Sequence, residues 1–120
     1  EIDELEARVR ALLRRSQAGG DLRPSCGDLV LDPAGRAFDL AGDRLALTPR
    51  EFAVLEALVL RAGKVVAKDH LHERLFSLDS EVRPDAIEVY VHRLRRKLAG
   101  TRVRIVTLRG LGYLLEEVKP

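Results

Sequence analysis

Apolar positions along the chain change their period several times, and each change marks an element. From residue 1 to 17, Ile2, Leu5, Val9, Leu12 and Leu13 recur at helical spacing, with Glu4/Arg8 and Glu6/Arg10 as i,i+4 pairs of favourable polarity. This amphipathic helix has an apolar face and no partner for it, and Ser16 to Pro24, with two glycines, reads as a linker. Three short apolar runs follow: Leu29 to Leu31, Arg36 to Leu40 and Arg44 to Leu47. The turn sequences Asp32-Pro33-Ala34-Gly35 and Ala41-Gly42-Asp43 separate them, which is the rhythm of an antiparallel meander.

The pattern then turns helical. Thr48-Pro49-Arg50-Glu51 supplies a cap, a proline at the first helical position and the glutamate of a capping box, with Leu47 and Phe52 as a hydrophobic staple. Phe52, Leu55, Leu58 and Val59 form the apolar face of that helix up to Gly63, and Lys64-Val65-Val66 is long enough only for a strand fragment. A second helix, about Lys68 to Leu75, buries Leu71 and Leu75 but starts after Ala67, which has no side-chain oxygen to cap it. Phe76 to Pro84 reads as a polar loop, and a third helix runs from Pro84 to Leu98, closed by Gly100. Ile87, Val91, Leu94 and Leu98 share its buried face, while Asp85, Val89, His92, Arg93 and Arg96 share the opposite one. Val103 to Val106 and Tyr113 to Leu115 alternate as two strands around Leu108-Arg109-Gly110-Leu111-Gly112, a hairpin with an arginine at its tip.

Charge sharpens this picture once it is divided by position. The net charge of +2 is the sum of 0 over residues 1–20, −2 over residues 21–47 and +4 over residues 48–120. Between Val89 and Leu115 the chain holds seven Lys or Arg and no Asp or Glu, and those cations fall on the third helix and on the hairpin. Basic residues near a helix C-terminus can merely complement its dipole, at about 0.3–1 kcal/mol each. Dipole compensation does not account for Arg102, Arg104 and Arg109 on a hairpin, whereas a nucleic-acid surface does.

Composition bounds the remaining classes. With 120 residues and 46% apolar content, one core of ordinary size is expected, and no apolar run reaches the length of a membrane helix. The chain has no Met and opens inside an amphipathic pattern, which predicts a piece of a longer protein. A single cysteine, Cys26, fits a reducing, cytoplasmic setting. His70 and His72 point to different sides of a helix and His92 stands apart, so no metal or cofactor is expected, and no nucleophile–base ordering points to an enzyme. Two Tyr and three Phe offer little for stacking RNA bases. The same scaffold used against a protein, with its cations serving solubility, is the alternative to nucleic-acid binding.

Four separated motifs narrow the fold. Leu47-Thr48-Pro49-Arg50-Glu51-Phe52, Gly63-Lys64-Val65-Val66, Glu88-Val89-Tyr90-Val91-His92-Arg93-Leu94-Arg95-Arg96-Lys97-Leu98 and Thr107-Leu108-Arg109-Gly110-Leu111-Gly112-Tyr113 resemble, in order and spacing, the effector domain of OmpR/PhoB-type bacterial response regulators. The resemblance covers about residues 25–117 and implies an α+β winged helix-turn-helix with an N-terminal antiparallel sheet, three helices and a C-terminal hairpin wing. It further implies that residues 1–15 are the last helix of a preceding receiver domain, residues 16–24 a linker and residues 25–120 the DNA-binding domain; the receiver's phosphoacceptor Asp is absent from this chain. In such a domain the recognition helix, residues 84–98, enters the major groove and the wing, residues 107–112, the minor groove.

Carried over position by position, the resemblance makes Ala86, Val89, Arg93 and Arg109 base contacts, and Tyr90, His92, Arg95, Arg96 and Thr107 phosphate contacts. It places Ser77, Leu78, Asp79, Ser80, Glu81, Val82 and Arg83 in a loop that touches RNA polymerase. It also implies tandem direct repeats of duplex DNA, a homodimer on them, and a sensor kinase acting through the receiver. Ala67 departs from the family's usual Ser, weakening the second helix. Asp85 stands where a neutral or basic residue is common, as a helix-start carboxylate or as an acceptor for a cytosine amino group.

Overall fold

The computed structural model describes residues 23–78, 83 and 85–118. The N-terminal amphipathic pattern, most of the linker, Asp79, Ser80, Glu81 and Val82 of the predicted polymerase loop, and Pro84 at the predicted start of the third helix lie outside these residues. The described chain runs β1 (Ser25–Cys26), β2 (Leu29–Asp32), β3 (Ala37–Leu40), β4 (Asp43–Leu45), α1 (Pro49–Val59), β5 (Val66–Ala67), α2 (Lys68–Phe76), α3 (Ala86–Leu98), β6 (Val103–Leu108) and β7 (Gly112–Glu117).

The meander is a four-stranded antiparallel sheet in the order β1-β2-β3-β4, one strand more than the apolar runs predicted. Ser25 and Cys26 are too few to show a period, and only pairing with Val30 and Leu29 makes them a strand. Leu29, Leu31 and Phe38 point from this sheet into the core, and Phe38 meets Phe52 of α1 with ring centroids 5.3 Å apart. β4 ends at Leu45, earlier than Leu47, because the chain must turn there to enter the cap of α1.

That cap is complete. The Thr48 hydroxyl accepts from the Glu51 amide at 3.2 Å, and Oε1 of Glu51 accepts from the Thr48 amide at 3.0 Å. The helix behind it is buried nearly all round: Ala53, Val54 and Ala57 join Phe52, Leu55, Leu58 and Val59 in the core. It is the central helix, with the meander on one side and α2, α3 and β7 on others. The turn that follows it reaches β7 through the Gly63 amide, which donates to the Leu115 carbonyl at 2.8 Å.

The C-terminal hairpin is likewise part of a larger sheet. Its strands extend further than the alternation predicted, to Leu108 and from Gly112, and β5 pairs with β7 to give a three-stranded sheet in the order β5-β7-β6. The strand fragment is Val66–Ala67, which overlaps the predicted Lys64–Val66 only at Val66, and it runs directly into α2. As expected, α2 has Ala67 at its cap with no side-chain hydrogen bond. The third helix begins at Ala86, two residues later than predicted. Asp85 at the cap has φ −87° and ψ 2° and makes no side-chain cap bond, so the turn at Arg83–Ala86 precedes the helix instead of belonging to it.

Candidate nucleic-acid interface

On α3, Ile87, Val91, Leu94 and Leu98 are buried at 0–2% exposure, as their spacing predicts, and this fixes which side chains face out. Val89 is 46% exposed, an apolar residue left in solvent in the middle of a basic face. Glu88, His92, Arg93, Arg95 and Arg96 are exposed beside it, and Ala86 is half-buried against the core. Arg109 and Leu111 are exposed at the wing tip. The two elements border one open groove of about 470 Å³, whose lining includes Lys68, Glu88, Thr107, Arg109, Leu111 and Tyr113. Glu88 is the α3 residue in that lining, so the groove joins the first turn of α3, the start of α2 and the tip of the wing.

The seven cations of the acid-free run do not all belong to that surface. Lys97 turns inward, donating to Oε1 of the buried Glu51 at 2.6 Å and to the Ala46 carbonyl at 2.7 Å. Arg104 is paired with Glu116 across the wing strands at 2.6 Å. Arg95 remains uncompensated in charge, but its guanidinium is held by β6: Nε and Nη2 donate to the Ile105 carbonyl at 3.0 and 2.9 Å, and Nη2 donates to the Thr107 hydroxyl at 2.7 Å. Arg93, Arg96, Arg102 and Arg109 make no ion pair with another described residue. The run was legible as a basic patch; which of its members are spent internally depends on acids and carbonyls far away in sequence.

Tyr90 differs from the other expected contacts in being buried, at 8% exposure. Its hydroxyl accepts from Nη1 of Arg50 at 3.1 Å, and the Arg93 guanidinium lies over its ring, 5.6 Å from the centroid. Tyr90 is thus a platform under Arg93, a cation–π arrangement that limits the freedom of the long side chain. Lys68 and Glu88, which the sequence did not single out, form an ion pair joining the start of α2 to α3 beside the groove. This contact holds the Glu88 carboxyl below its ordinary range and raises Lys68. An acid on the basic face is in this way neutralised by an element twenty residues upstream. Of the expected polymerase loop, Ser77 and Leu78 are exposed after α2, and Arg83 is exposed, 3.6 Å from Asp85.

Three helices, a wing, and an exposed basic face shared between α3 and the wing define a winged helix-turn-helix protein. The family described as "Transcriptional regulatory protein, C terminal" matches residues 42–115, and the chain belongs to it. It is 52% identical over 116 residues to the transcriptional regulatory protein TctD of Salmonella typhimurium, covering 97% of this chain and 51% of that protein. It is 42% identical over 120 residues to the response regulator protein PmrA of Pseudomonas aeruginosa, covering 100% of this chain and 53% of that one. The chain spans about half the length of these curated relatives.

Solved structures agree. The Klebsiella pneumoniae RstA DNA-binding domain, crystallised in complex with the RstA box, superposes with a TM-score of 0.65 at 32% identity, over 78% of this chain and 96% of that one. The Thermotoga maritima response regulator DrrB, an OmpR/PhoB homologue, superposes with a TM-score of 0.68 at 32% identity, over 95% of this chain and 52% of that one. No helix among the described residues is long and apolar enough to cross a membrane.

Proposed function

We propose that this chain is the DNA-binding effector part of a two-component transcriptional regulator, with α3 read into the major groove and the wing tip into the minor groove of duplex DNA. The observation that carries the proposal is the exposed basic face of α3, with Val89, Arg93 and Arg96 outward, together with exposed Arg109 on a wing tip that shares a groove with Glu88 of the same helix. Arg93, steadied over Tyr90, suits a bidentate contact to guanine, and Val89 and Ala86 suit thymine methyl groups. Arg109 suits the minor groove of A·T-rich DNA, where a narrow groove concentrates negative potential. His92, Arg96 and Thr107 serve as phosphate contacts that hold the register.

The doubled length of the relatives supports assigning residues 1–15 to a preceding receiver domain and residues 16–24 to the linker. On this reading a sensor kinase acts through the receiver, the protein binds tandem direct repeats as a homodimer, and the segment from Ser77 to Arg83 meets RNA polymerase. A gel shift on random duplex at low salt tests the core of the proposal. Measurable affinity that falls steeply with salt is expected, because cations displace counterions from phosphates. No affinity under those conditions would turn the reading toward a protein-binding winged helix.

A further inference from the structure

One of the α3 side chains expected to grip phosphate, Arg95, is held by the wing strand β6. A guanidinium has five N–H donors. Three of those on Arg95, the one on Nε and both on Nη2, are aimed at the Ile105 carbonyl and the Thr107 hydroxyl of β6. β6 is the edge strand of its sheet, so alternate carbonyls along it have no ladder partner, and its contact with α3 is one of few ties between helix and hairpin. We infer that Arg95 is a positioning residue that locks the wing at a set angle to α3, and thereby decides at which base pair Arg109 reads the minor groove relative to the base pair read by Arg93. The inference rests on the DNA-binding reading above.

Two consequences follow from the geometry. Thr107 accepts from Arg95 through Oγ1, so its own hydroxyl proton is left to donate outward, and the same contact that fixes the strand orients a phosphate ligand. The planar fork that spans a carbonyl and a hydroxyl two residues apart cannot be replaced by lysine, whose ammonium is a point donor on a flexible stem. Charge and position are therefore separable by one substitution.

The experiment compares Arg95→Lys and Arg95→Ala with the unaltered chain after thermal melting has shown all three folded. Lysine is the variant that keeps the test valid if alanine unfolds the domain. Duplexes selected from a random pool report preference base pair by base pair. In Arg95→Lys, preference for A·T at the wing end should fall about fivefold, the loss expected for one removed hydrogen-bonded anchor, while preference at the Arg93 base pair stays within about twofold. A simple loss of stability would lower both together. Unchanged preferences in Arg95→Lys, with Arg95→Ala binding all sequences more weakly and its log–log salt slope reduced by about one, would make Arg95 a phosphate contact only and overturn the proposal.

A second arm needs no DNA. Amide hydrogen exchange across residues 105–112 of the free protein should quicken about tenfold in Arg95→Lys, with α1 unchanged; unaltered exchange in the wing would overturn the strut. An unaltered chain that selects no sequence at all would overturn the proposed function, and the exchange arm keeps that failure distinct from failure of the strut.

Discussion

Nζ of Lys97 lies 2.6 Å from Oε1 of Glu51, joining the last turn of the basic helix to the first turn of the central one. The same ammonium donates to the Ala46 carbonyl, so a single cation fastens the end of the meander, the cap of α1 and α3. Burial alone pushes the Glu51 carboxyl up, but the hydrogen bonds from Lys97 and from the Thr48 amide outweigh it and hold the group below its ordinary value of 4.5.

Lys97→Ala leaves a carboxylate that is 3% exposed without its cation, and should destabilise the domain by about 2–4 kcal/mol in thermal melting at neutral pH. The pH dependence has a definite sign. A carboxyl whose pKa is depressed on folding contributes stability that is fully present above the unfolded value and is lost as pH falls through the folded one. The wild-type melting temperature should therefore fall more steeply below about pH 4.5 than that of Glu51→Gln, which has no proton to take up. Parallel acid limbs would show that Glu51 is not linked to folding.

Arg93→Ala should lower affinity for a selected site by about 1–3 kcal/mol and relax choice at one base pair, leaving the others as they were. An equal loss on every sequence would remove Arg93 from base reading and make it a phosphate contact.

Gly112 has φ +146°, and a Cβ there would sit 2.1 Å from the Val66 carbonyl oxygen. Gly112→Ala should force β5 away from β7 at a cost of about 1–3 kcal/mol. Gly110, at the wing tip with φ +75° and open space around it, should cost only about 1 kcal/mol as Ala, for the backbone conformation alone. Chemical denaturation of the two variants checks the ranking; equal losses would mean that close packing at Gly112 is relieved elsewhere.

Ala67→Ser should stabilise the domain by about 1 kcal/mol, because Ala67 is exposed, sits at the cap of α2 with an extended backbone, and makes no cap bond. Amide exchange in the first turn of α2 should slow in parallel, and an unchanged melting temperature would show that the free amides there were already satisfied.

The parts of this fold that were legible in the chain are those whose cause is local. The Thr48–Glu51 capping box, the uncapped start at Ala67 and the buried stripe Ile87-Val91-Leu94-Leu98 follow from residue chemistry at fixed spacing, and all are present. The expected order of sheet, three helices and wing rested on the same local signals. Strand extents were poorly read, because β1 and β5 have two residues each and exist only by pairing with β2 and β7.

What tertiary structure alone decided is how the cations are divided. By sequence the Val89–Leu115 run was one basic patch of seven. In the fold Lys97 serves the core through Glu51, Arg104 pairs with Glu116, Arg95 ties helix to wing, and Arg93, Arg96, Arg102 and Arg109 are left outward with Val89. The physical reason is range: helical period and caps act over three or four residues, whereas an ion pair is set by whatever acid the fold brings within about 4 Å, forty-six residues away in the case of Glu51 and Lys97.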